Sequence, residues 1–144
     1  LLPIATLVTP NIPEAEIIAD MSIESEADML VAGLKLQGYG AKNVIIKGGH
    51  AKDARARDLV LMEDGEILWL SSPRVETENT HGTGDTLSAA IAAELAKGSE
   101  LKAAIVIAKQ FIQGAIADSI DVGHGHGPTN HWADLSDDVL VESE

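Results

Sequence analysis

Residues 79–97 read NTHGTGDTLSAAIAAELAK, a loop rich in hydroxyl groups and glycine that runs into an alanine-rich segment. Residues 86–97 strongly favour a helix, and Gly98 is a natural stop. Gly82 and Gly84 let the backbone turn and approach a ligand without an obstructing Cβ atom. Free N–H groups and the positive end of the helix dipole then converge in front of a helix that begins near Gly84. This arrangement predicts an anion-binding site.

Asp85 lies inside this segment, although a carboxylate does not by itself favour a site for phosphate. One interpretation is that Asp85 takes a proton from an attacking hydroxyl group while the N–H groups hold the transferred phosphoryl group. The other is that Asp85 only caps the helix, since aspartate is common at the N-cap and in the first turn. The residues of this segment leave both interpretations open.

The first third of the chain predicts a strand–helix–strand unit. Residues 4–8 and 43–47 are short apolar runs with β-branched residues, and each ends at a turn signal, so both predict buried strands. Between them, residues 13–20 and 25–37 predict helices. This order of elements is typical of a parallel α/β unit.

A hairpin is predicted to extend this sheet. Residues 59–62 and 67–70 predict two strands around the dipeptide Asp64-Gly65, a strong signal for a tight turn. We therefore expect an α/β, Rossmann-like fold whose sheet is mostly parallel and carries an antiparallel hairpin extension.

Apolar periodicity predicts which helix faces are buried. In residues 25–37 the predicted buried stripe is Ala27, Leu30, Val31 and Leu34. A further helix is predicted to begin with Ser99 as its N-cap. Its apolar stripe consists of Leu101, Ile105, Ala108, Ile112 and Ala115. Residues 136–144 are polar and are expected to fray.

Composition excludes several classes of protein. The chain has 144 residues with 45% hydrophobic content, which suits one compact domain. A net charge of −13 would repel a phosphodiester backbone, so nucleic acid is not an expected partner. Without cysteine, the chain has no disulfides, thiolate zinc sites or thiol nucleophile. No long apolar run or signal-peptide pattern is evident, so we expect a cytoplasmic protein without membrane partners.

Four segments, in order along the chain, carry a family resemblance. Residues 77–92 read TENTHGTGDTLSAAIA, and the other three segments are TPNIPE at 9–14, VIIKGGH at 44–50 and GHGPTNH at 125–131. Together they resemble the hydroxymethylpyrimidine/phosphomethylpyrimidine kinases of thiamine biosynthesis, in the ribokinase superfamily. The resemblance implies the C-terminal portion of a ribokinase-like fold, with an ATP-binding half over residues 1–132 and an acidic tail over 133–144.

The same resemblance implies a kinase that uses ATP and Mg²⁺ to phosphorylate a hydroxymethyl group on a pyrimidine. Gly82, Thr83 and Gly84 would form the anion hole, and Asp85 matches the position of the superfamily's catalytic base. The pyrimidine kinase branch usually has cysteine at this position, whereas pyridoxal kinases and sugar kinases usually have aspartate. A pyridoxal or pyridoxine kinase is therefore the alternative interpretation.

Asn11 and Glu14 resemble the superfamily motif that positions Mg²⁺ and its water ligands. A glutamate that only complements the helix dipole is the alternative. Lys47 follows a buried strand and precedes two glycines, so its ammonium group could reach a phosphate at the carboxyl edge of the sheet. It could equally be a solvated lysine at a strand end.

Four further residues are implied as nucleotide contacts. Thr80 and His81 belong to the signature segment, whereas Ala108 and Lys109 correspond to a region that borders adenine in the superfamily. The apolar periodicity also fits Ala108 to core packing.

The resemblance begins partway into the family's chain, so the substrate-binding N-terminal half has no counterpart in these residues. We expect the partner to be that N-terminal half or a second copy of the chain, together with a small pyrimidine alcohol as substrate. The isolated chain is expected to have little kinase activity because its alcohol pocket would be incomplete. A non-catalytic nucleotide-binding fragment is the remaining alternative.

Overall fold

The computed structural model describes residues 1–48, 55–74, 83–118 and 129–143. They form two compact units. We term the first the sheet unit, Leu1–Ser71 with Leu140–Glu144, and the second the helical unit, Ser72–Val139. Within the described ranges, no helix has the length and apolar character needed to cross a bilayer.

The sheet unit is built on a five-stranded sheet with two helices. Its strands are β1 (Leu7–Val8), β2 (Asn43–Ile46), β3 (Arg55–Leu61), β4 (Ile67–Pro73) and β5 (Leu140–Ser143). The helices α1 (Ile12–Ala19) and α2 (Glu26–Gly38) connect β1 to β2, and a single 3₁₀ turn, Leu2–Ile4, precedes β1. The spatial order of the strands follows the chain, from β1 to β5.

The α/β class and the hairpin extension are confirmed. The strand pair β1–β2 is parallel, whereas β2–β3 and β4–β5 are antiparallel. The parallel part of the described sheet is thus smaller than predicted, because the hairpin and the last strand both add antiparallel neighbours. The division into residues 1–132 and 133–144 stays a prediction.

The hairpin turn forms where the Asp64-Gly65 dipeptide predicts it. Gly65 has a positive φ of 91°, a conformation that glycine adopts without strain. The N–H of Glu66 donates to Oδ1 of Asp64 at 3.0 Å, and the N–H of Met62 donates to the carbonyl of Glu66 at 2.9 Å. A side-chain acceptor and a flexible residue therefore close the turn between β3 and β4.

The buried face of α2 is not the predicted one. Val31 and Leu34 are 47% and 52% exposed, and Ala27 is also exposed, while Leu30 is half-buried. The residues that face the core are Met29, Ala32, Gly33 and Leu36. Gly33 explains the choice of face, because a Cβ atom there would lie 2.6 Å from Cδ1 of Leu61. Without that atom, α2 packs closely against β3 through its second apolar stripe.

The helical unit contains α3 (Thr83–Ala96) and α4 (Leu101–Ala117). The predicted stripe of α4 is confirmed at four of its five positions, since Ile105, Ala108, Ile112 and Ala115 are buried, while Leu101 is half-buried. The predicted N-cap is wrong, because Glu100 occupies that position and Ser99 does not. The hydroxyl of Ser99 instead donates to Oε2 of Glu94 at 3.3 Å, so it is not available for capping.

The prediction that residues 136–144 fray is also wrong. The N–H of Ser136 donates to the carbonyl of Gln110 at 3.0 Å. Further on, Leu140–Ser143 pair with β4 as strand β5, from Ser71 opposite Leu140 to Leu68 opposite Ser143. Polar side chains do not prevent an edge strand, because one of its faces remains in water.

Candidate active site

The carboxyl ends of the parallel strands β1 and β2 bring several predicted residues together. Asn11 and Lys47 form an isolated parallel bridge, and the N–H of Lys47 donates to the carbonyl of Pro10 at 2.9 Å. We term the group Asn11, Glu14, Lys47, Gly48 and Asp58 the strand-end cluster; all five lie in the sheet unit. This edge of an α/β sheet is where such folds usually bind ligands.

Asn11 and Glu14 are joined to each other in a capping box at the start of α1. Oδ1 of Asn11 accepts the N–H of Glu14 at 2.8 Å, and Oε2 of Glu14 accepts the N–H of Asn11 at 2.8 Å. Each side chain thereby satisfies an N–H group that a helix start leaves free. Both hydrogen bonds of a capping box are therefore formed by this pair. Its role in binding Mg²⁺ stays a prediction.

The pair nevertheless keeps capacity for a cation. Glu14 is exposed, and no hydrogen bond among the described residues uses its second oxygen, Oε1. A hard cation such as Mg²⁺ takes carboxylate oxygens and retains several water ligands. The residues therefore fit Mg²⁺ held through one carboxylate oxygen and water.

Lys47 is half-buried, between the buried Ile46 and the buried Gly48. Its ammonium group forms no ion pair within the part of the chain that the structure describes. A cation at this edge of the sheet is suited to an anionic ligand, and its contact with ATP stays a prediction.

Sequence reasoning missed Asp58, which lies in β3 and is only 3% exposed. Its Oδ1 accepts the N–H of Gly48 at 2.9 Å. A signal was available in the sequence, since an aspartate directly before the apolar run Leu59–Leu61 is unusual in a buried strand. The sequence signal does not identify Gly48 as the hydrogen-bond partner of Asp58.

Asp85 lies in the first turn of α3, in the helical unit. The helix already begins at Thr83, so Asp85 is not the N-cap residue. Its position in the first turn is the other one that the structural alternative allows, so that alternative stays open. Its side chain is exposed, and the structure gives it no hydrogen bond or ion pair with another described residue. Thr83 and Gly84 precede it in the same turn, whereas the predicted site residues Thr80, His81 and Gly82 lie outside the described residues.

The two predicted adenine contacts on α4 differ in accessibility. Ala108 is 0% exposed, and its methyl group packs in the apolar stripe of the helix. Its side chain is therefore not expected to touch a nucleotide, and the core-packing alternative accounts for it. Lys109 is half-buried, and its role toward the nucleotide stays a prediction.

Comparison with known proteins identifies the family of the chain. The family model for phosphomethylpyrimidine kinase matches residues 1–130. The chain belongs to this kinase family. The hydroxymethylpyrimidine/phosphomethylpyrimidine kinase of Haemophilus influenzae is 51% identical over 136 residues, which cover 92% of this chain and 51% of that protein. The chain therefore spans about half the length of this relative.

Two further proteins are similar to this chain. The thiamine biosynthesis bifunctional protein ThiED of Geobacter sulfurreducens is 45% identical over 131 residues, covering 91% of this chain and 26% of that protein. The structure of pyridoxal kinase from Staphylococcus aureus in complex with ADP superposes with a TM-score of 0.91 at 35% identity. The superposition covers 100% of this chain and 55% of the pyridoxal kinase chain. This similarity supports the ribokinase-like fold.

A cavity of about 510 Å³ opens beside the strand-end cluster, within the sheet unit. Gly48 and Arg57 belong to its lining, and Arg57 also lies over the ring of Trp69 at 5.0 Å from the centroid. The guanidinium of Arg57 donates to both carboxylate oxygens of Glu26, at 2.8 and 2.9 Å, and also pairs with Glu142. Arg57 thus links α2, β3 and β5, and sequence reasoning did not identify it.

Proposed function

We propose that this chain is the ATP-handling half of a kinase that phosphorylates 4-amino-5-hydroxymethyl-2-methylpyrimidine, its monophosphate, or both, in thiamine biosynthesis. Membership of the phosphomethylpyrimidine kinase family and the names of the Haemophilus and Geobacter relatives support this. The observation that carries the proposal is the exposed carboxylate of Asp85 in the first turn of α3. A carboxylate at a helix start that also offers free N–H groups suits proton removal beside a phosphoryl group.

In the proposed reaction, Asp85 accepts the proton of the substrate's hydroxymethyl group while the hydroxyl oxygen of the substrate attacks the γ-phosphorus of ATP. The new oxygen–phosphorus bond forms while the bond to the β,γ-bridging oxygen breaks, and ADP leaves. The N–H groups of Gly82, Thr83 and Gly84 would stabilise the negative charge on the transferred phosphoryl oxygens, aided by the helix dipole. Positioning and electrostatics supply most of the catalysis in such transfers.

The strand-end cluster is the proposed site for the rest of the nucleotide. Lys47 would bind phosphate oxygens, and Glu14 with Asn11 would hold Mg²⁺ through water. Bound Mg²⁺ would neutralise part of the phosphate charge, which this acidic chain needs because its net charge is −13. We also propose nucleotide contacts for Thr80, His81 and Lys109. The ADP complex of the Staphylococcus pyridoxal kinase is consistent with ATP use.

We propose that the remainder of the active site comes from an N-terminal half or from a second copy of the chain. The length of the Haemophilus relative supports this, since the matched residues are 51% of it. So does the unpartnered stripe on α2, where Val31 and Leu34 are exposed, and the 81% exposure of Ile17 on α1. Large apolar side chains exposed on a helix face favour a covering partner.

A pyridoxal kinase is the second candidate. It is favoured by the aspartate at position 85 and by the structural similarity to the Staphylococcus pyridoxal kinase. In this case the reaction would be the same transfer to a hydroxymethyl group, on a pyridine ring.

The deciding experiment compares the complete gene product with three alcohols: the hydroxymethylpyrimidine, its monophosphate and pyridoxal. Formation of ADP with either pyrimidine, at a kcat/KM above that for pyridoxal, is the expected result. A higher kcat/KM for pyridoxal would favour the second candidate.

Calorimetry of the 144-residue chain with MgATP adds a control. Binding without turnover by any assembled form would identify a non-catalytic nucleotide-binding module and contradict the kinase.

A further inference from the structure

The chain leaves β2 through Lys47 and Gly48, and its backbone is held there from two sides. The N–H of Lys47 donates toward β1, to the carbonyl of Pro10 at 2.9 Å. The N–H of Gly48 donates toward β3, to Oδ1 of Asp58 at 2.9 Å. The backbone pairing of β2 with β3 ends at Ile46 opposite Leu59, two residues before Gly48. A side-chain carboxylate therefore continues the restraint where the backbone pairing ends.

The surroundings of Gly48 are shaped closely around this contact. A Cβ atom at Gly48 would lie 1.8 Å from the carbonyl oxygen of Arg57, the residue before Asp58. Both partners are buried, with Asp58 at 3% exposure. Burying a carboxylate lowers the stability of a fold unless the carboxylate is hydrogen-bonded. The N–H of Gly48 provides Asp58 with such a hydrogen bond.

We propose that Asp58 is a positioning residue for the nucleotide site. By accepting the N–H of Gly48, it fixes the backbone that carries Lys47 beside Asn11. The inference rests on the proposed function, in which Lys47 contacts the phosphates of ATP, and Asp58 itself does not touch the nucleotide. A cationic side chain on a fixed backbone loses less conformational freedom on binding, which favours affinity.

Two substitutions at position 58 separate hydrogen bonding from burial, and one at position 43 is the matched control. Asp58→Asn keeps an oxygen that can accept the N–H of Gly48, whereas Asp58→Leu removes it. Asn43 is buried at the opposite end of β2, where Nδ2 donates to the carbonyl of Thr6 and Oδ1 accepts the N–H of Glu63, both at 2.8 Å. Asn43→Leu therefore breaks comparable buried bonds far along the strand from Lys47.

The readouts are amide hydrogen exchange at Gly48 and the Kd for MgATP, both measured on the complete protein. In Asp58→Leu we expect exchange at Gly48 to accelerate and MgATP to bind more weakly, each by about tenfold, as for the loss of one buried hydrogen bond. Asp58→Asn should remain close to the wild type. Asn43→Leu should lower stability in urea but leave both readouts unchanged.

Unchanged exchange at Gly48 in Asp58→Leu would overturn the inference, and so would an equal loss of MgATP affinity in Asn43→Leu at matched stability. If Asp58→Leu does not fold, Asp58→Ala takes its place, because alanine has no side-chain acceptor for the N–H of Gly48. Failure of the wild type to bind MgATP would contradict the proposed function instead. In that case the exchange rates at Gly48 still decide whether Asp58 holds the backbone.

Discussion

The strand-end cluster and the first turn of α3 both carry proposed site residues, but they use their polar groups differently. In the strand-end cluster, Asn11, Glu14 and Asp58 all accept backbone N–H groups at 2.8 to 2.9 Å. In the first turn of α3, Asp85 is exposed and bonds to no other described residue. Carboxylates of the first kind shape a binding surface, whereas one of the second kind is free to take a proton. Under the proposed function, the first region binds the nucleotide and the second carries out the proton transfer.

The largest expected effect follows from removing the proposed base. Asp85→Asn in the complete protein should lower turnover by a factor of roughly 10² to 10⁴, because general base catalysis is lost. The Kd for MgATP should change little, since the variant keeps the N–H groups of the turn. Steady-state kinetics and calorimetry measure the two quantities separately.

Glu100→Gln is the matched control for this substitution. Glu100 is the exposed N-cap residue of α4, and its side chain makes no capping hydrogen bond. Glu100→Gln therefore removes one negative charge at a helix start and leaves the proposed base, Asp85, unchanged. Equal turnover in Asp85→Asn and wild type, or an equal loss in both variants, would exclude Asp85 from the mechanism.

The next effect concerns the rigidity of the strand-end cluster. Gly48→Ala places a Cβ atom 1.8 Å from a backbone oxygen, which cannot move without displacing β3. We expect a loss of about 1–3 kcal/mol or more in the free energy of unfolding, as for overpacked sites. Gly38→Ala is the control, because no atom lies within 4 Å of its Cβ position at the end of α2. It should be neutral or stabilise by less than about 1 kcal/mol; similar urea midpoints for both variants would contradict the close packing at Gly48.

A smaller effect separates the charge of Lys47 from its role in packing. Lys47→Met should weaken MgATP binding by roughly tenfold, the scale of one partly solvated charge pair, and leave folding nearly unchanged. Lys42→Met is the control. Lys42 lies just before β2, and its one ion pair among the described residues is with Glu63, at 3.7 Å, with both side chains more than half exposed. If the Kd for MgATP shifts equally in both variants, Lys47 contributes only to the overall electrostatic potential of the protein and makes no specific contact with the nucleotide.

Local signals were sufficient to predict much of the fold. The hairpin follows from Asp64-Gly65, and the end of α3 follows from Gly98, whose φ of 95° suits glycine. In both cases the residues that fix the backbone are adjacent in the sequence. The exposed position of Asp85 near a helix start could be predicted for the same reason.

Contacts between distant residues could not be predicted in this way. The helix α2 has two apolar stripes, and the close approach of Gly33 to Leu61 decides which of them is buried. Strand β5 forms by pairing with β4, and the three-residue apolar run Val139–Val141 is too short a local signal to predict that pairing. Asp58 could be noticed as unusual, but its partner Gly48 is set by the register between β2 and β3.

The smallest expected effect tests whether the strand-end cluster does more than cap a helix. Glu14→Gln keeps an oxygen for the capping box, since glutamine serves at this position as well as glutamate. The free energy of unfolding should therefore fall by only a few tenths of a kcal/mol, mainly through weaker interaction with the dipole of α1. Asn11→Ala, which removes the cap, should cost about 1 kcal/mol. If Glu14 also holds Mg²⁺, Glu14→Gln should raise the Mg²⁺ concentration needed for half-maximal turnover. An unchanged Mg²⁺ requirement in Glu14→Gln would leave Glu14 a purely structural residue, because the capping box alone accounts for its position.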